Sequence, residues 1–343
     1  MNSNETLNNE DLLFAMQQRN LVYNYNFLNY SNKTVDSAVT YGHPDGWVYQ
    51  DAGTGGLVSF DPTTNSCILK KSSGNDLMTF SQAISEFPRW EDTLQGKTVS
   101  ATTVIEVPGN SGCEVTFSLS DGKGTSSKSV YFDAGETKEI DISIDVNEKA
   151  TNLVVAIESS TSEIVLYVHK VYANVGNIAL ENLACMVEGT IGVRKQYVST
   201  DIPPAVELSL CTASIELSDA YTRLNSYLNG KFGVGSNGNS LLPDMRGYFS
   251  RAWDNGAKTD PDAANRTALG KGTVTGDNVG TVEEDEFKAH THGLQFDLSG
   301  QIPAGTAASL ASINKALTSN TESTGGAETR GKNISELYTM KWA

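Results

Sequence analysis

The stretch VSATTVIEV at residues 99–107 decides the fold class of this chain, because mainly apolar side chains alternate along it with mostly polar neighbours. The side chains that share one side are Val99, Ala101, Thr103, Ile105 and Val107. Successive residues of a β-strand point to opposite faces of the sheet, so a two-residue period places this set on one face. The stretch is therefore predicted to be a β-strand that buries one face.

The same alternation returns twice further along the chain, in CEVTFSL at 113–119 and in IDISIDV at 140–146. Two continuous apolar runs, LVVAI at 153–157 and IVLYV at 164–168, are typical of central strands that are buried on both faces. The turn-forming sequences PGNSG, SDGKG and DAGE separate these stretches. We therefore predict that residues 21–178 form an antiparallel β-sandwich.

The charge balance and the short apolar stretches limit the classes of function. The 343 residues include 25 Lys and Arg against 41 Asp and Glu, for a formal net charge of −16. Binding to a phosphate backbone needs clustered basic residues, so we expect no nucleic-acid partner. No stretch approaches the roughly 18 apolar residues of a membrane-spanning helix, and the first twenty residues lack the layout of a secretory signal peptide. We therefore expect a protein that does not span a membrane.

The second half of the chain contains one convincing helix and then loses its regularity. Ser218 is the predicted cap of this helix and Gly230 its predicted end. The apolar positions at helical spacing are Tyr221, Leu224, Tyr227 and Leu228. From Asn237 onward the chain is rich in Gly, Asn, Asp and Thr, with too few apolar residues for a core of its own. This segment is either disordered or ordered by wrapping around further copies of itself.

Four motifs follow one another in this half of the chain. They are SLLPDMRGYFSRAWDNG at 240–256, DPDAANR at 260–266, EEDEFKAHTHG at 283–293 and ETRGKNISELYTMKW at 328–342. In this order and spacing they resemble the phage tail-collar and tail-fibre family. The resemblance runs from about Glu188 to the C-terminus and includes the predicted helix.

The resemblance implies a homotrimeric, host-binding fibre protein whose C-terminal halves intertwine around a threefold axis. Such a protein attaches through its N-terminus to a fibre or baseplate protein and binds a cell-surface polysaccharide or an outer-membrane receptor. Its location is then a virion tail fibre, or an extracellular or cell-surface fibre if a bacterium encodes it. Hydrogen bonds exchanged between three chains would satisfy the backbone groups of a segment that is poor in apolar residues.

These observations divide a mainly β chain into four parts. Residues 1–20 are the N-terminal attachment segment with a short helix, and residues 21–178 are the β-sandwich. Residues 179–258 are the tail-collar domain implied by the resemblance. The resemblance also implies that residues 259–343 form an intertwined trimeric tip that carries a metal site.

The metal site is predicted at His290 and His292. Residues i and i+2 of an extended strand point to the same side, so both imidazoles face one way. The resemblance implies that three such pairs meet on the trimer axis and hold a transition-metal ion, iron or zinc, through neutral nitrogens. With all positions filled by imidazole, the ion has no open position for substrate and no catalytic role. For an isolated His-x-His pair, two surface histidines are the alternative.

The first half of the chain carries a second resemblance. The sequence NYNFLNYS at 24–31, followed by HPDGW at 43–47, resembles the entry strands of jelly-roll carbohydrate-binding modules. That resemblance implies a jelly-roll sandwich in which Trp47, Tyr49 and Trp90 offer apolar ring faces to a sugar. The alternative for Trp47 is a core position behind a Pro-Asp-Gly turn.

Together these features predict a trimeric receptor-binding adhesin that attaches to a cell-surface glycan or another envelope receptor. No nucleophile elbow, metalloprotease motif, P-loop or dinucleotide fingerprint is present in the sequence, so we expect no enzyme activity. Two alternatives remain. One is a tailspike-like polysaccharide depolymerase that uses paired carboxylates, and the other is a purely structural collar or fibre component.

Overall fold

The computed structural model describes the chain in seven stretches. They are residues 18–30, 44–52, 56–61, 63–109, 111–200, 205–286 and 332–343. The described residues up to Thr281, together with Glu336–Ala343, form one compact unit, and those of Val282–Ser335 belong to a second unit. The predicted boundary between residues 178 and 179 falls inside the first unit.

Ten strands of the described chain form two five-stranded antiparallel sheets. In spatial order, the first sheet consists of β1 (Val48–Gln50), β4 (Met78–Ala83), β9 (Val154–Ser159), β6 (Cys113–Ser120) and β7 (Thr125–Phe132). The second sheet consists of β2 (Leu57–Asp61), β3 (Ser66–Lys70), β10 (Val165–Val175), β5 (Thr98–Val107) and β8 (Glu136–Asp145). The predicted mainly β fold and its antiparallel sandwich are confirmed.

The core lies between the two sheets and takes alternate side chains from both. Phe80 and Phe117 of the first sheet and Leu69 and Ile105 of the second are all fully buried in one cluster. Each alternating stretch of the sequence is therefore a strand whose apolar face is turned to the opposite sheet. Removing apolar surface from water stabilises such a core by about 25 cal/mol per Å².

A third sheet lies beyond the sandwich. It has the order β11 (Arg194–Tyr197), β15 (Leu337–Lys341) and β12 (Glu207–Ser209), and both pairings are antiparallel. The central strand comes from the C-terminal end of the chain, which the sequence assigned to the tip. It pairs instead with two strands of the predicted collar segment 179–258. A central strand needs partners on both edges, and neither partner is near it in sequence.

The predicted helix is present as Thr222–Leu228, preceded by a 3-10 turn, Asp219–Tyr221. It ends at Asn229, which has a left-handed backbone conformation (φ 44°), followed by Gly230 (φ 70°). Its apolar side joins a second, smaller core. That cluster consists of Leu210, Leu217, Leu224, Leu228, Leu242 and Met340. The prediction that Ser218 caps the helix is wrong, because its side chain makes no capping hydrogen bond.

The other elements that the structure describes are short. They are the helix Trp90–Leu94, the 3-10 turn Ala263–Asn265, and a two-stranded sheet of β13 (Thr267–Ala268) and β14 (Thr281–Val282). Within the described ranges, no helix has both the length and the apolar character needed to cross a membrane.

A buried carboxylate ties the third sheet together. The side chain of Glu207 accepts hydrogen bonds from Nζ of Lys195 (2.5 Å), the hydroxyl of Tyr197 (2.9 Å) and Oγ1 of Thr339 (2.5 Å). Burial by itself would raise the pKa of Glu207, but these donors outweigh it and hold the pKa below its usual value. The ionised carboxylate therefore stabilises the fold.

We predict that Glu207→Gln lowers the free energy of unfolding by about 1–3 kcal/mol at neutral pH, because the buried hydroxyl of Thr339 and the ammonium of Lys195 lose a charged acceptor. The folded pKa lies below the unfolded value, so the stabilisation is present above the ordinary Glu pKa and is lost as pH falls through the folded pKa. Denaturant unfolding of both proteins across acidic and neutral pH measures this difference. The control is Glu148→Gln, at an exposed position. Equal small effects of both substitutions at neutral pH would contradict the prediction.

Candidate functional site

A cavity of about 390 Å³ lies on the outer face of the first sheet, and we call it the cleft. Its floor is formed by Val48 of β1, Ser81 and Ala83 of β4, and Val154 of β9. Val48 is paired with Ser81, and Ala83 with Val154. Paired residues of antiparallel strands share a face of the sheet, so the four side chains point the same way, away from the core.

Three half-buried aromatic rings form walls of the cleft, namely those of Trp90, Tyr221 and Trp342. The rings of Tyr221 and Trp342 meet edge to face, with centroids 5.1 Å apart and planes at 80°. Nε1 of Trp342 donates a hydrogen bond to the carbonyl of Ala205 at 3.0 Å, which sets the orientation of the indole. Rings of this kind offer a ligand large apolar contact surfaces with little conformational freedom to lose.

Polar groups complete the lining of the cleft. Thr151, Asn152 and Asp219 contribute exposed side chains. The Asp219 carboxylate accepts a hydrogen bond from Nδ2 of Asn239 at 3.0 Å. Apolar walls with a few polar groups are the usual composition of small-molecule sites, in which the polar groups fix the orientation of the ligand.

An ion pair between the sandwich and the helix holds the cleft together. Glu86 follows β4, and its carboxylate accepts hydrogen bonds from the backbone N–H of Thr222 (2.7 Å) and of Arg223 (2.9 Å). Nε of the Arg223 side chain lies 3.2 Å from the same carboxylate. Thr222 Oγ1 also donates to this carboxylate, and Nη2 of Arg223 donates to the Glu86 carbonyl. The first free N–H groups of the helix are thus capped by a residue that is distant in sequence.

Both partners of this pair are buried, and the guanidinium of Arg223 is fully so. A second bond joins the same two parts of the chain, because Oγ of Ser226 donates to the carbonyl of Trp47 at 2.6 Å. The helix therefore has a fixed position against the sandwich, and the 3-10 turn Asp219–Tyr221 is held over the cleft.

Trp47 does not line the cleft, so the structure corrects its prediction as a sugar-stacking residue. Its side chain is fully buried, with its ring stacked on Phe80 at 4.6 Å and tilted against Phe27 at 5.2 Å. The N–H of Trp47 donates to the Pro44 carbonyl at 3.1 Å across a turn that contains Gly46 at φ 84°. The alternative interpretation, a core residue behind a Pro-Asp-Gly turn, describes this position.

The two other aromatic candidates differ from each other. Tyr49 lies next to Val48 on β1, so its side chain points to the opposite face and does not line the cleft. Its hydroxyl lies 2.9 Å from Oδ2 of Asp51 and 2.9 Å from the Lys70 carbonyl, and burial raises its pKa. Trp90 does line the cleft. Trp90 is therefore the one candidate of the three that the structure places in the site.

The predicted metal ligands His290 and His292 lie outside the described residues. Among the residues that the structure describes, no group of three or more His, Cys, Asp and Glu side chains is arranged to hold a metal ion. The metal site therefore stays a prediction.

Sequence reasoning missed Tyr221, Trp342 and Asp219 as parts of a site. Tyr221 was assigned to the apolar side of a helix, and Trp342 only to a family motif. The two rings are 121 positions apart along the chain (342 − 221), and only their contact in the folded chain joins them. The available signal was the Trp and Tyr content of the second half, which is otherwise poor in apolar residues.

The fold and the cleft define the class of this protein. It is a β-sandwich protein whose cleft has the size of a small ligand and is built by segments that lie far apart in the sequence. Protein RhiB of Rhizobium leguminosarum bv. viciae is 30% identical to this chain over 175 residues, which is 48% of this chain and 78% of RhiB. The chain belongs to the RhiB family. No protein-family model matches the sequence.

Several solved structures are similar to part of this chain at low TM-scores. The CBM22-1 xylan-binding domain of Paenibacillus barcinonensis Xyn10C has a TM-score of 0.33 at 10% identity and covers 48% of this chain and 96% of the domain. The Clostridium thermocellum xylanase 10B modules crystallised with xylohexaose give 0.33 at 12% identity, covering 47% and 29%. A tailspike domain of bacteriophage CBA120 gives 0.31 at 14% identity, covering 46% and 21%. These TM-scores are low, so the fold is assigned from the strand order and register themselves.

We predict that Arg223→Ala lowers the free energy of unfolding by about 3–5 kcal/mol, because Glu86 is left as a buried, unpaired charge. The double variant Glu86→Gln with Arg223→Met removes both charges and is expected to lose less stability. A double-mutant cycle by denaturant unfolding measures the coupling. The control is Arg89→Ala, since Arg89 and Asp92 form an exposed ion pair at 2.9 Å. An Arg223→Ala variant as stable as the control would contradict the prediction.

Proposed function

We propose that the chain is a non-catalytic adhesin that binds a saccharide of a cell-surface glycan in the cleft. The observation that carries this proposal is the placement of Trp90, Tyr221 and Trp342 around one cavity of about 390 Å³. A sugar ring has apolar C–H faces and a rim of hydroxyl groups. Aromatic rings contact such faces, while neighbouring side chains such as Asn152 and Asp219 exchange hydrogen bonds with hydroxyls.

The proposal extends to a homotrimeric, tail-fibre-like assembly. It is supported by the four tail-collar-like motifs and by three exposed aromatic side chains, Tyr248, Phe249 and Trp253, in the first of them. Phe249 exposes 64% of its surface, which favours burial against another chain. Three clefts on one trimer would engage a repetitive glycan at high effective concentration, so that modest affinity for each site gives firm attachment. The N-terminus would join a fibre or baseplate protein, or anchor a cell-surface fibre.

We expect sedimentation equilibrium of the full chain at micromolar concentration to give three times the mass of the 36.8-kDa chain. Phe249→Ser is expected to weaken the trimer, because it removes apolar surface from the contact between chains. Tyr131→Ser is the control, because Tyr131 is equally exposed (60%) on the sandwich strand β7. A well-folded monomer at this concentration would refute the trimer.

The proposed trimer includes an iron or zinc ion held by His290 and His292 of each chain. Imidazole nitrogen suits both ions, and the ligand must be neutral. We expect metal analysis of the purified protein to find the ion, and the double substitution His290→Ala with His292→Ala to remove it and lower the melting temperature. Acid should release the ion as imidazoles protonate near pH ~6.5. His169→Ala, on strand β10, is the control, and unchanged metal content in the double variant would refute the site.

A polysaccharide depolymerase is the second candidate function, because two carboxylates, Glu86 and Asp219, line the cleft. Glycosidases use such a pair as acid and base or nucleophile. Both oxygens of Glu86, however, already accept hydrogen bonds from Thr222 and Arg223. This engagement supports the binding proposal over the enzymatic one. Incubation with end-labelled host glycan tests it, since an adhesin leaves the chain length unchanged and a depolymerase shortens it.

A glycan array with the full chain, followed by calorimetry on the best ligand, tests binding in the cleft. We predict that Trp90→Ala and Trp342→Ala each weaken affinity about tenfold, because each removes an aromatic contact worth about 1 kcal/mol beyond its buried area. Tyr131→Ala, at an exposed aromatic residue of β7 outside the cleft, is the control. Unchanged affinity in both cleft variants, with melting curves like that of the unaltered protein, would reject the cleft as the binding site.

A further inference from the structure

We infer that the cleft selects sugars that carry a free amine over neutral or acidic sugars, an inference that rests on the proposed glycan binding. Two features of the cleft support this selection, namely the charges that line it and the positions of its aromatic rings. The aromatic walls alone do not determine the class of sugar.

The charges that line the cleft are all negative. Glu86 and Asp219 are the charged residues of the described lining, which includes no Lys, Arg or His. The charge of Glu86 is balanced by the buried guanidinium of Arg223. Asp219 has a different environment, because it is exposed and its described partner is the neutral amide of Asn239. The described lining of the cleft therefore carries one negative charge, that of Asp219, that no described cation balances.

The aromatic rings are placed to add to this attraction. Asp219 and Tyr221 are the two ends of one 3-10 turn, and the Tyr221 ring touches that of Trp342. The faces of Trp and Tyr rings attract cations through their quadrupole. A carboxylate beside such rings is the chemistry that binds an ammonium group. Of the sugars that fit the aromatic walls, an amino sugar satisfies both features.

Acidic sugars are disfavoured for the converse reason. A uronic or sialic acid would bring a second carboxylate close to Asp219, and the chain already has a net charge of −16. Like charges brought together at a binding site oppose association. An N-acetylated sugar keeps the ring and hydroxyls but has no charge, so it gains the aromatic and hydroxyl contacts without the attraction between charges.

The experiment uses two oligosaccharides that differ in one group. These are a β-1,4-linked glucosamine oligomer with free amines and the same oligomer in fully N-acetylated form, with an oligogalacturonate as the acidic probe. Calorimetry on the full chain is carried out at low and at high salt. An exposed charge contact and a cation–π contact are each modest, so we expect the amine form to bind about tenfold tighter at low salt. High salt should reduce this preference through screening.

Two variants that each remove one negative charge test whether Asp219 causes the preference for the amine form. Asp219→Asn keeps the shape and the contact with Asn239 but removes the charge, so it should abolish the preference for the amine form over the N-acetylated form. Asp76→Asn removes the same charge at an exposed position outside the cleft and should leave the preference intact. A preference that persists in Asp219→Asn arises from the overall charge of the chain and would overturn the inference.

The remaining outcomes separate this inference from the proposed function. Equal binding of both oligomers that Trp342→Ala weakens would overturn amine selectivity and leave glycan binding in the cleft standing. A glycan array whose strongest ligands are neutral or acidic sugars would do the same. Binding of neither oligomer and of no glycan on the array would overturn both.

Discussion

The ion pair between Glu86 and Arg223 is the contact on which the site depends. Two opposite charges in an apolar interior are stable only when each has its partner and its hydrogen bonds, because neither is solvated by water. Glu86 meets this condition by accepting from the backbone of the helix as well as from the guanidinium. One carboxylate thus neutralises a buried charge, caps a helix and joins two distant parts of the chain.

The geometry of the cleft follows from this contact. The first sheet supplies a floor of small side chains. Tyr221 lines the cleft from the 3-10 turn that precedes the capped helix. Trp342 follows β15 directly in the sequence. The position of β15 is fixed by its pairing with β11 and β12 and by the buried carboxylate of Glu207. Hydrogen bonds therefore hold three sides of the site: the first sheet, the turn with Tyr221 and the strand before Trp342.

The aromatic residues show what the sequence can predict about a site and what it cannot. The rule that Trp and Tyr can stack on sugars selected Trp47, Tyr49 and Trp90 alike, although one is in the core, one faces away and one lines the cleft. The turn at Pro44 places Trp47 inside, and the two-residue period of β1 turns Tyr49 away from Val48. Local pattern identifies the type of residue, while its exposure depends on which element packs against it. The sequence analysis did not predict strand β7. This strand lies at the edge of its sheet and has Phe132 as its one buried side chain, so its sequence shows little apolar alternation.

The amino-acid sequence by itself determined the mainly β fold, the strands between residues 98 and 175 other than β7, and the helix that ends near Gly230. These features depend on periods of two or 3.6 residues and on turn chemistry, which act between neighbours along the chain. Only the tertiary structure decided that Glu86 caps the helix, that the last strand enters the third sheet, and that Trp90, Tyr221 and Trp342 share one cleft. Those contacts join residues more than a hundred positions apart, and they arise because buried charges, unpaired strand edges and apolar rings must each find a partner in the folded chain.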